Sequence, residues 1–255
     1  MYAVIVANPT IDIVITREGR AKRVGGPPYY MGLALSALGI RAEAVGVVGP
    51  DEYDVIAGEL EKIGVKPRLK IGDATAYFEL DYNSKPRRSK ALRRPSVKIE
   101  GLVEAPLVFV NPVFDEVGDL RFFADLSAVD LQGFLRSGTA PPEADIVHFS
   151  DDDMAVDPGK LGEYNKKWNI VLYTQGAAGA YMSTEGRLYF VESAGIEAED
   201  TTGSGDIFLA AFAAVMIRKG DAVEALCEAS KYVAGYLRYR AFKEIEYDCS
   251  VRLIA

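Results

Sequence analysis

The sequence predicts one three-layer α/β/α domain with a small β-sheet flap, and three observations carry that reading. Short apolar runs rich in β-branched residues recur along the chain and alternate with segments of helical period, the pattern of a mostly parallel sheet covered on both faces. Two stretches, residues 13–25 and 68–98, break the rhythm with alternating strand patterns and turn residues and offer no helix, as an antiparallel flap would. The 255 residues, 49% of them hydrophobic, suffice for one large core rather than two equal domains.

The strand runs are residues 2–6, 42–48, 107–110, 127–131, 146–149 and 170–173; helical period marks residues 29–38, 54–63 and 158–168. Within the flap, seven of the fourteen residues 85–98 are basic: Lys85, Arg87, Arg88, Lys90, Arg93, Arg94 and Lys98. Such a run is either a solvated edge strand protected by charge or a set of cations facing an anionic ligand, and the residues alone leave both open. No internal repeat, low-complexity tract or long linker interrupts the chain.

Composition narrows the function. A net charge of −8 argues against nucleic acid or an anionic membrane as partner and favours a small molecule. The opening "MYAVIVANPT" reads as a strand rather than a signal peptide, and the longest apolar run, residues 207–217, is too short to cross a bilayer, so a cytoplasmic protein is expected. His148 is the only histidine, which excludes multi-histidine metal sites and leaves carboxylates as the proton acceptors; His148 itself reads as a structural residue at a strand end. Cys227 and Cys249 lack CxxC spacing and read as ordinary buried thiols, a disulfide between them being the alternative in a hyperthermophile. Two glutamines and 26% charged residues lean towards a thermophile.

The chemistry concentrates in "DTTGSGDIFLAAFAAVMIR", residues 200–218. The backbone of Gly203, Ser204 and Gly205 can approach a ligand closely, and the helix that follows aims its free N–H groups at it, which makes an anion site suited to a phosphoryl group. Asp206 stands in the first turn, where the helix dipole favours the ionised carboxylate, ready to take a proton from an alcohol. Taken alone, the same residues also fit an ordinary helix capped by an acid. The chain has no Walker A sequence and no GxGxxG after a strand, which removes the P-loop and Rossmann alternatives.

The segment resembles DTxGAGD, the C-terminal signature of the ribokinase-like, or phosphofructokinase B, family of carbohydrate and nucleoside kinases, with Ser204 in place of the usual alanine. The resemblance runs in order over residues 3–237. It implies a ribokinase-like fold, the flap serving as a lid, with ATP and magnesium as cofactors. It also implies Asp206 as catalytic base and Gly203, Ser204 and Gly205 as anion hole. "GGPPYYMGLALSALG" resembles the N-terminal signature, placing Gly25 and Gly26 at the substrate; the asparagine expected four residues after the pair is Tyr30 here. "NPTIDIV" is similar to the motif that supplies a substrate-binding aspartate, here Asp12. "YTQGAAGAYM" resembles the TxGxxG nucleotide segment and puts Thr174, Gly176 and Gly179 near the ATP phosphates, with Thr202 of the glycine turn on the same side. "HFSDDDM" aligns with the NxxE motif, with Ser150 for asparagine and Asp153 for glutamate, so magnesium would be held by phosphates and water near Asp153 rather than by protein ligands. A helix around Ala229 and Ser230 is the expected adenine neighbourhood.

"VDLQGFLR", residues 129–136, places Gln132 and Arg136 four apart at a strand's carboxyl end, where open α/β sheets bind ligands. With the GGPPxY opening, it looks like the archaeal members that phosphorylate myo-inositol, which implies that Gln132 and Arg136 hold ring hydroxyls of a neutral polyol. Three alternatives remain. One is a nucleoside kinase with "PPYY" or Tyr77, Phe78 and Tyr82 as an aromatic wall, and another is a different sugar kinase of the family. The third is a binding protein that turns nothing over. The lid edge is open to a homodimer contact, as in some relatives, while its charge density argues equally for solvent.

Overall fold

The computed structural model describes residues 1–84, 88–243 and 245–255, so Lys85 and Arg87 of the basic run lie outside the described residues. In chain order the first half holds β1 (Tyr2–Val6), β2 (Thr10–Thr16), β3 (Gly19–Gly25), α1 (Pro27–Ala37), β4 (Arg41–Val48), α2 (Tyr53–Lys62), β5 (Val65–Ile71), β6 (Ala76–Asp81), β7 (Arg88–Arg93) and β8 (Ile99–Glu104). The second half adds β9 (Leu107–Val110), β10 (Val117–Phe123), β11 (Leu126–Asp130), α3 (Gln132–Ser137), β12 (Ile146–Ser150), β13 (Ile170–Thr174), β14 (Gly179–Thr184), β15 (Arg187–Glu192), α4 (Ser204–Lys219), α5 (Ala222–Tyr239) and β16 (Val251–Leu253). Short 3-10 turns span Pro158–Lys166 and Gly176–Ala178.

The central sheet has ten strands in the order β16-β15-β14-β13-β12-β11-β9-β1-β4-β5. From β13 to β5 every pairing is parallel, while β14, β15 and β16 join antiparallel. The period-2 alternation of β1 divides the core. Ala3 and Ile5 enter the cluster shared with α1, α4 and α5, and Val4 and Val6 enter the opposite cluster with Phe134, Leu161 and Trp168. Ile207 to Val215 of α4 are all buried, because α1 and α5 flank a helix already lying on the sheet. This is why its sequence is apolar all round.

The lid is a four-stranded sheet, β3-β2-β6-β7, with its own apolar cluster of Val14, Ala76, Phe78, Leu80, Val113 and Phe114. It starts at Thr10 rather than residue 13. Residues 68–71, expected in the flap, instead complete β5, paired in parallel with β4. β5 is the edge of the central sheet and is buried on one side only, so it shows the alternation of a flap strand rather than the continuous apolar run of a central one. Ile99–Glu104 and Val117–Phe123 form a separate two-stranded parallel sheet. The segment expected as a helix over 158–168 is a 3-10 turn over Pro158–Lys166 followed by buried Trp168, with two glycines, Gly159 and Gly162, that weaken an α-helix.

Cys227 and Cys249, read from sequence as ordinary thiols, form a disulfide with a Cα–Cα distance of 5.7 Å, tying α5 to the segment that precedes β16. Among the described residues no helix is long and apolar enough to cross a membrane.

Candidate active site

A cleft of about 1590 Å³ opens beneath the lid, at the carboxyl ends of the central strands. Parallel strands leave their last carbonyls and first loop residues at this edge, which is why polar side chains gather here. Lid residues Asp12 and Phe78, Asp130 and Gln132 after β11, the acids after β12, Thr174 after β13 and the glycine turn before α4 all line the cleft.

The glycine turn explains its own composition. Gly203 caps α4 with φ +81°, a left-handed conformation, and a Cβ there would lie 2.2 Å from Cγ of Tyr30. Tyr30, where the related signature carries asparagine, is only 2% exposed, and its ring packs against the back of the turn; its hydroxyl has no hydrogen-bond partner among the described residues. Ser204 N–H bonds to the Thr201 carbonyl, whereas the N–H groups of Gly205 and Asp206 have no partner among the described residues and stand free at the helix start. Asp200 accepts from the N–H and the hydroxyl of Thr202 at 2.8 and 2.6 Å, and pairs with Arg23 at 2.5 Å and Arg240 at 3.2 Å. Burial opposes ionisation of Asp200, but Thr202's hydrogen bonds and the two guanidinium charges hold its carboxyl below the usual range. The turn is thereby braced from beneath, and the lid's Tyr82 hydroxyl reaches the Thr202 hydroxyl at 2.6 Å.

Asp206 projects from the first turn of α4. Its Oδ1 accepts from Nδ2 of Asn111 at 2.7 Å, and Asn111 Oδ1 in turn accepts from Nε2 of Gln132 at 2.9 Å. A helix start by itself favours the ionised acid, yet burial and then the charge of Asp130 push the Asp206 carboxyl well above the usual range, with Asn111 and Arg136 pulling the other way. The local expectation of an acid of ordinary strength is overridden by tertiary desolvation.

Asp130 is the hub of the floor. Its Oδ1 accepts the Gln132 N–H at 2.9 Å and its Oδ2 lies 2.6 Å from His148 Nδ1, while His148 Nε2 lies 3.2 Å from the Thr174 hydroxyl. His148, expected to be structural, is buried at 2% exposure and links Asp130 at the end of β11 to Thr174 at the end of β13.

On the lid side, Asp12 is 3% exposed and accepts from the Thr10 hydroxyl at 2.7 Å; burial raises its pKa to about 6. A Cβ on residue 25 would fall 2.0 Å from Asp12 Oδ2, so the first glycine of the pair makes room for this carboxylate. Arg136 reaches the Val113 carbonyl at 3.3 Å and Asp153 at 3.9 Å. Asp153 Oδ2 accepts from Ser150 N–H and hydroxyl at 3.1 and 2.6 Å. Burial and Asp130 raise Asp153, against Ser150 and Arg136. Gly176 and Gly179, both at positive φ, bracket the 3-10 turn that lines the cleft after β13. Of the described lid cations, Arg93 pairs with Asp51, Lys98 with Asp115, and Arg94 lies over the Phe114 ring at the cleft; Arg88 and Lys90 are exposed on β7.

The structure therefore brings Asp12, Gly26, Gln132, Arg136, Asp153, Thr174, Gly176, Gly179, Thr202 and residues 203–206 to one cleft, with Gly25 behind Asp12. Sequence reasoning missed Asn111 and the linking role of Asp130. The signal for Asn111 was present: an Asn-Pro pair follows the apolar run of β9 as another follows the adjacent β1, at Asn8 and Asn111.

Residues 146–237 match the family described as pfkB family carbohydrate kinase. No curated protein matches the chain in sequence. Among solved structures, the fold resembles a pyrophosphate-dependent kinase in the ribokinase family complexed with a pyrophosphate analog and myo-inositol, at TM-score 0.76 and 17% identity over 94% of this chain and 97% of that one. A fructokinase double mutant from Vibrio cholerae in fructose, ADP and potassium ion bound form gives TM-score 0.73 and 17% identity over 94% of each chain. An uncharacterized sugar kinase from Pyrococcus horikoshii gives TM-score 0.70 and 16% identity over 93% and 92%. The protein is thus a phosphotransferase that acts on an alcohol group. Its residues 146–237 are what match the pfkB family of carbohydrate kinases, and the chain has the ribokinase-like fold.

Proposed function

We propose that the protein transfers the γ-phosphoryl group of ATP to a hydroxyl of a neutral polyol, with myo-inositol as preferred acceptor. The observation that carries this reading is the pairing of free N–H groups at Gly205 and Asp206 with the Asp206 carboxyl, whose Oδ1 is held by Asn111 while Oδ2 has no partner among the described residues. A phosphoryl group on those amides and an alcohol on that oxygen are the two halves of one transfer. Asp206 takes the hydroxyl proton as the oxygen attacks, and the free amides of Gly205 and Asp206 stabilise charge on the transferred group, the Ser204 amide of the expected anion hole being taken by the Thr201 carbonyl. Asp12 and Arg136 face the ring hydroxyls, with Gln132 Oε1 as a further acceptor, so both donors and acceptors meet a polyol. Thr174, Gly176, Gly179 and Thr202 line the donor half. Magnesium would be carried by the donor phosphates and reached through water from Asp153. When bound, it compensates phosphate charge.

A second reading of the donor is pyrophosphate, favoured by the myo-inositol-bound neighbour, whose name states that dependence. The test offers ATP or pyrophosphate, with magnesium, against myo-inositol, ribose, fructose, fructose 6-phosphate and nucleosides, and follows ADP or phosphate release. Asp206→Asn removes the proton acceptor but keeps the shape, so turnover should fall by roughly 10²- to 10⁴-fold. Near-wild-type turnover in that variant would refute the assignment, and no release with any pair would favour a binding protein.

A further inference from the structure

We infer that Asn111 is a positioning residue for the Asp206 carboxylate and that Gln132 acts on catalysis through Asn111. The inference rests on the proposed role of Asp206 as proton acceptor and assigns a role to a residue outside the recognised motifs.

Asn111 directly follows β9 and is fully buried, its side chain bonded to Gln132 of α3 and Asp206 of α4. Its amide makes two bonds, accepting from Gln132 Nε2 at 2.9 Å and donating to Asp206 Oδ1 at 2.7 Å. An amide can be turned end for end, but the reverse arrangement would aim the Asn111 oxygen at an ionised carboxylate. The carboxylate therefore fixes which end of Asn111 faces it, and the Gln132 amide, donating to the oxygen at the other end, holds Asn111 in that orientation. The backbone of Gln132 is fixed at the start of α3, where its main-chain N–H donates to Asp130 Oδ1 at 2.9 Å. The result for Asp206 is geometric: one oxygen is occupied and the other faces the cleft.

The arrangement also bears on protonation. The charged groups acting on Asp206 are Asp130 from the end of β11, Asp12 from β2 and Arg136 from α3, so two acids oppose ionisation and one cation supports it. Asn111 is the neutral donor that favours the charged form. A base that kept its proton would accept none, so this bond keeps the acid available.

The experiment compares the wild type with Asn111→Leu, Gln132→Leu and the double variant. Turnover of myo-inositol with ATP and magnesium is followed across pH. In parallel, the Asp206 carboxyl is titrated by ¹³C NMR without donor or acceptor, its resonance assigned by its loss in Asp206→Asn. In Asn111→Leu, kcat should fall about 10- to 100-fold, and both the acid limb of the kcat profile and the NMR midpoint should move up by about one pH unit or more. Gln132→Leu should lower kcat less, and that loss should be smaller in the Asn111→Leu background, the part that runs through Asn111 having gone. An unmoved NMR midpoint, or a Gln132→Leu kcat loss that persists undiminished in the double variant, would overturn the inference. Should Asn111→Leu fail to fold, Gln132→Leu, at a half-buried cleft position, decides alone: its NMR midpoint must rise. If no acceptor turns over, the proposed reaction fails while the NMR titration still tests Asn111.

Discussion

Replacing Gly203 by alanine probes the anion turn and can be calibrated against Gly176. Both glycines have positive φ, +81° and +48°, but they differ in the space behind them. At Gly176 a Cβ would meet nothing within 4 Å, so Gly176→Ala carries only the left-handed backbone cost, about 1 kcal/mol. At Gly203 the methyl would sit 2.2 Å from the Tyr30 ring. That ring cannot swing aside, being 2% exposed and set edge-on against Tyr29 and Tyr236 at centroid distances of 5.3 and 6.3 Å. Overpacking of this kind adds about 1–3 kcal/mol to the backbone cost, for roughly 2–5 kcal/mol in all. With an unfolding entropy of about 2.1 cal/mol/K per residue, a chain of this length loses about 2 °C of Tm per kcal/mol. Thermal unfolding by circular dichroism should then show a drop of about 2 °C for Gly176→Ala and about 4–10 °C for Gly203→Ala. Turnover should be hit harder in the latter, because the turn must shift. Combining Gly203→Ala with Tyr30→Leu should recover the clash but not the backbone cost. Equal Tm losses for the two alanine variants would refute the claim that Tyr30 supports the turn.

Two further outcomes follow from burial and from the disulfide. The Asp12 pKa is raised from 3.8 to about 6, so the folded state holds a proton that the unfolded state releases earlier. The stability this contributes is complete below about pH 3.8 and is lost as pH rises to about 6, on the order of 3 kcal/mol. Asp12→Asn should flatten urea-unfolding stability between pH 4 and 7 while weakening polyol binding; an unchanged pH dependence would contradict the burial argument. Reducing the Cys227–Cys249 bond, with a sequence separation of 22, should cost about 3 kcal/mol by loop-closure entropy. The corresponding Tm loss is about 6 °C, and identical melting with and without a phosphine reductant would show that the bond adds nothing.

The amino-acid sequence by itself determined the alternation of strands and helices, because strands of a doubly covered parallel sheet are apolar on both faces and stand out as continuous runs. It also carried the glycine turn and its acid, whose neighbours along the chain are the parts that act together. Where burial was one-sided the reading slipped: β5, an edge strand, looked like lid. The tertiary structure alone decided the rest. Asn111 and Asp206 are 95 residues apart, and neither has a local pattern that announces the other. The pairing of the cysteines and the proximity of Asp130, His148 and Thr174 arise the same way, from three strands ending side by side. Even the proton affinity of Asp206 is a tertiary property: its helix start argues for an ionised acid, and only the depth of the cleft and the charges gathered around it reverse the sign.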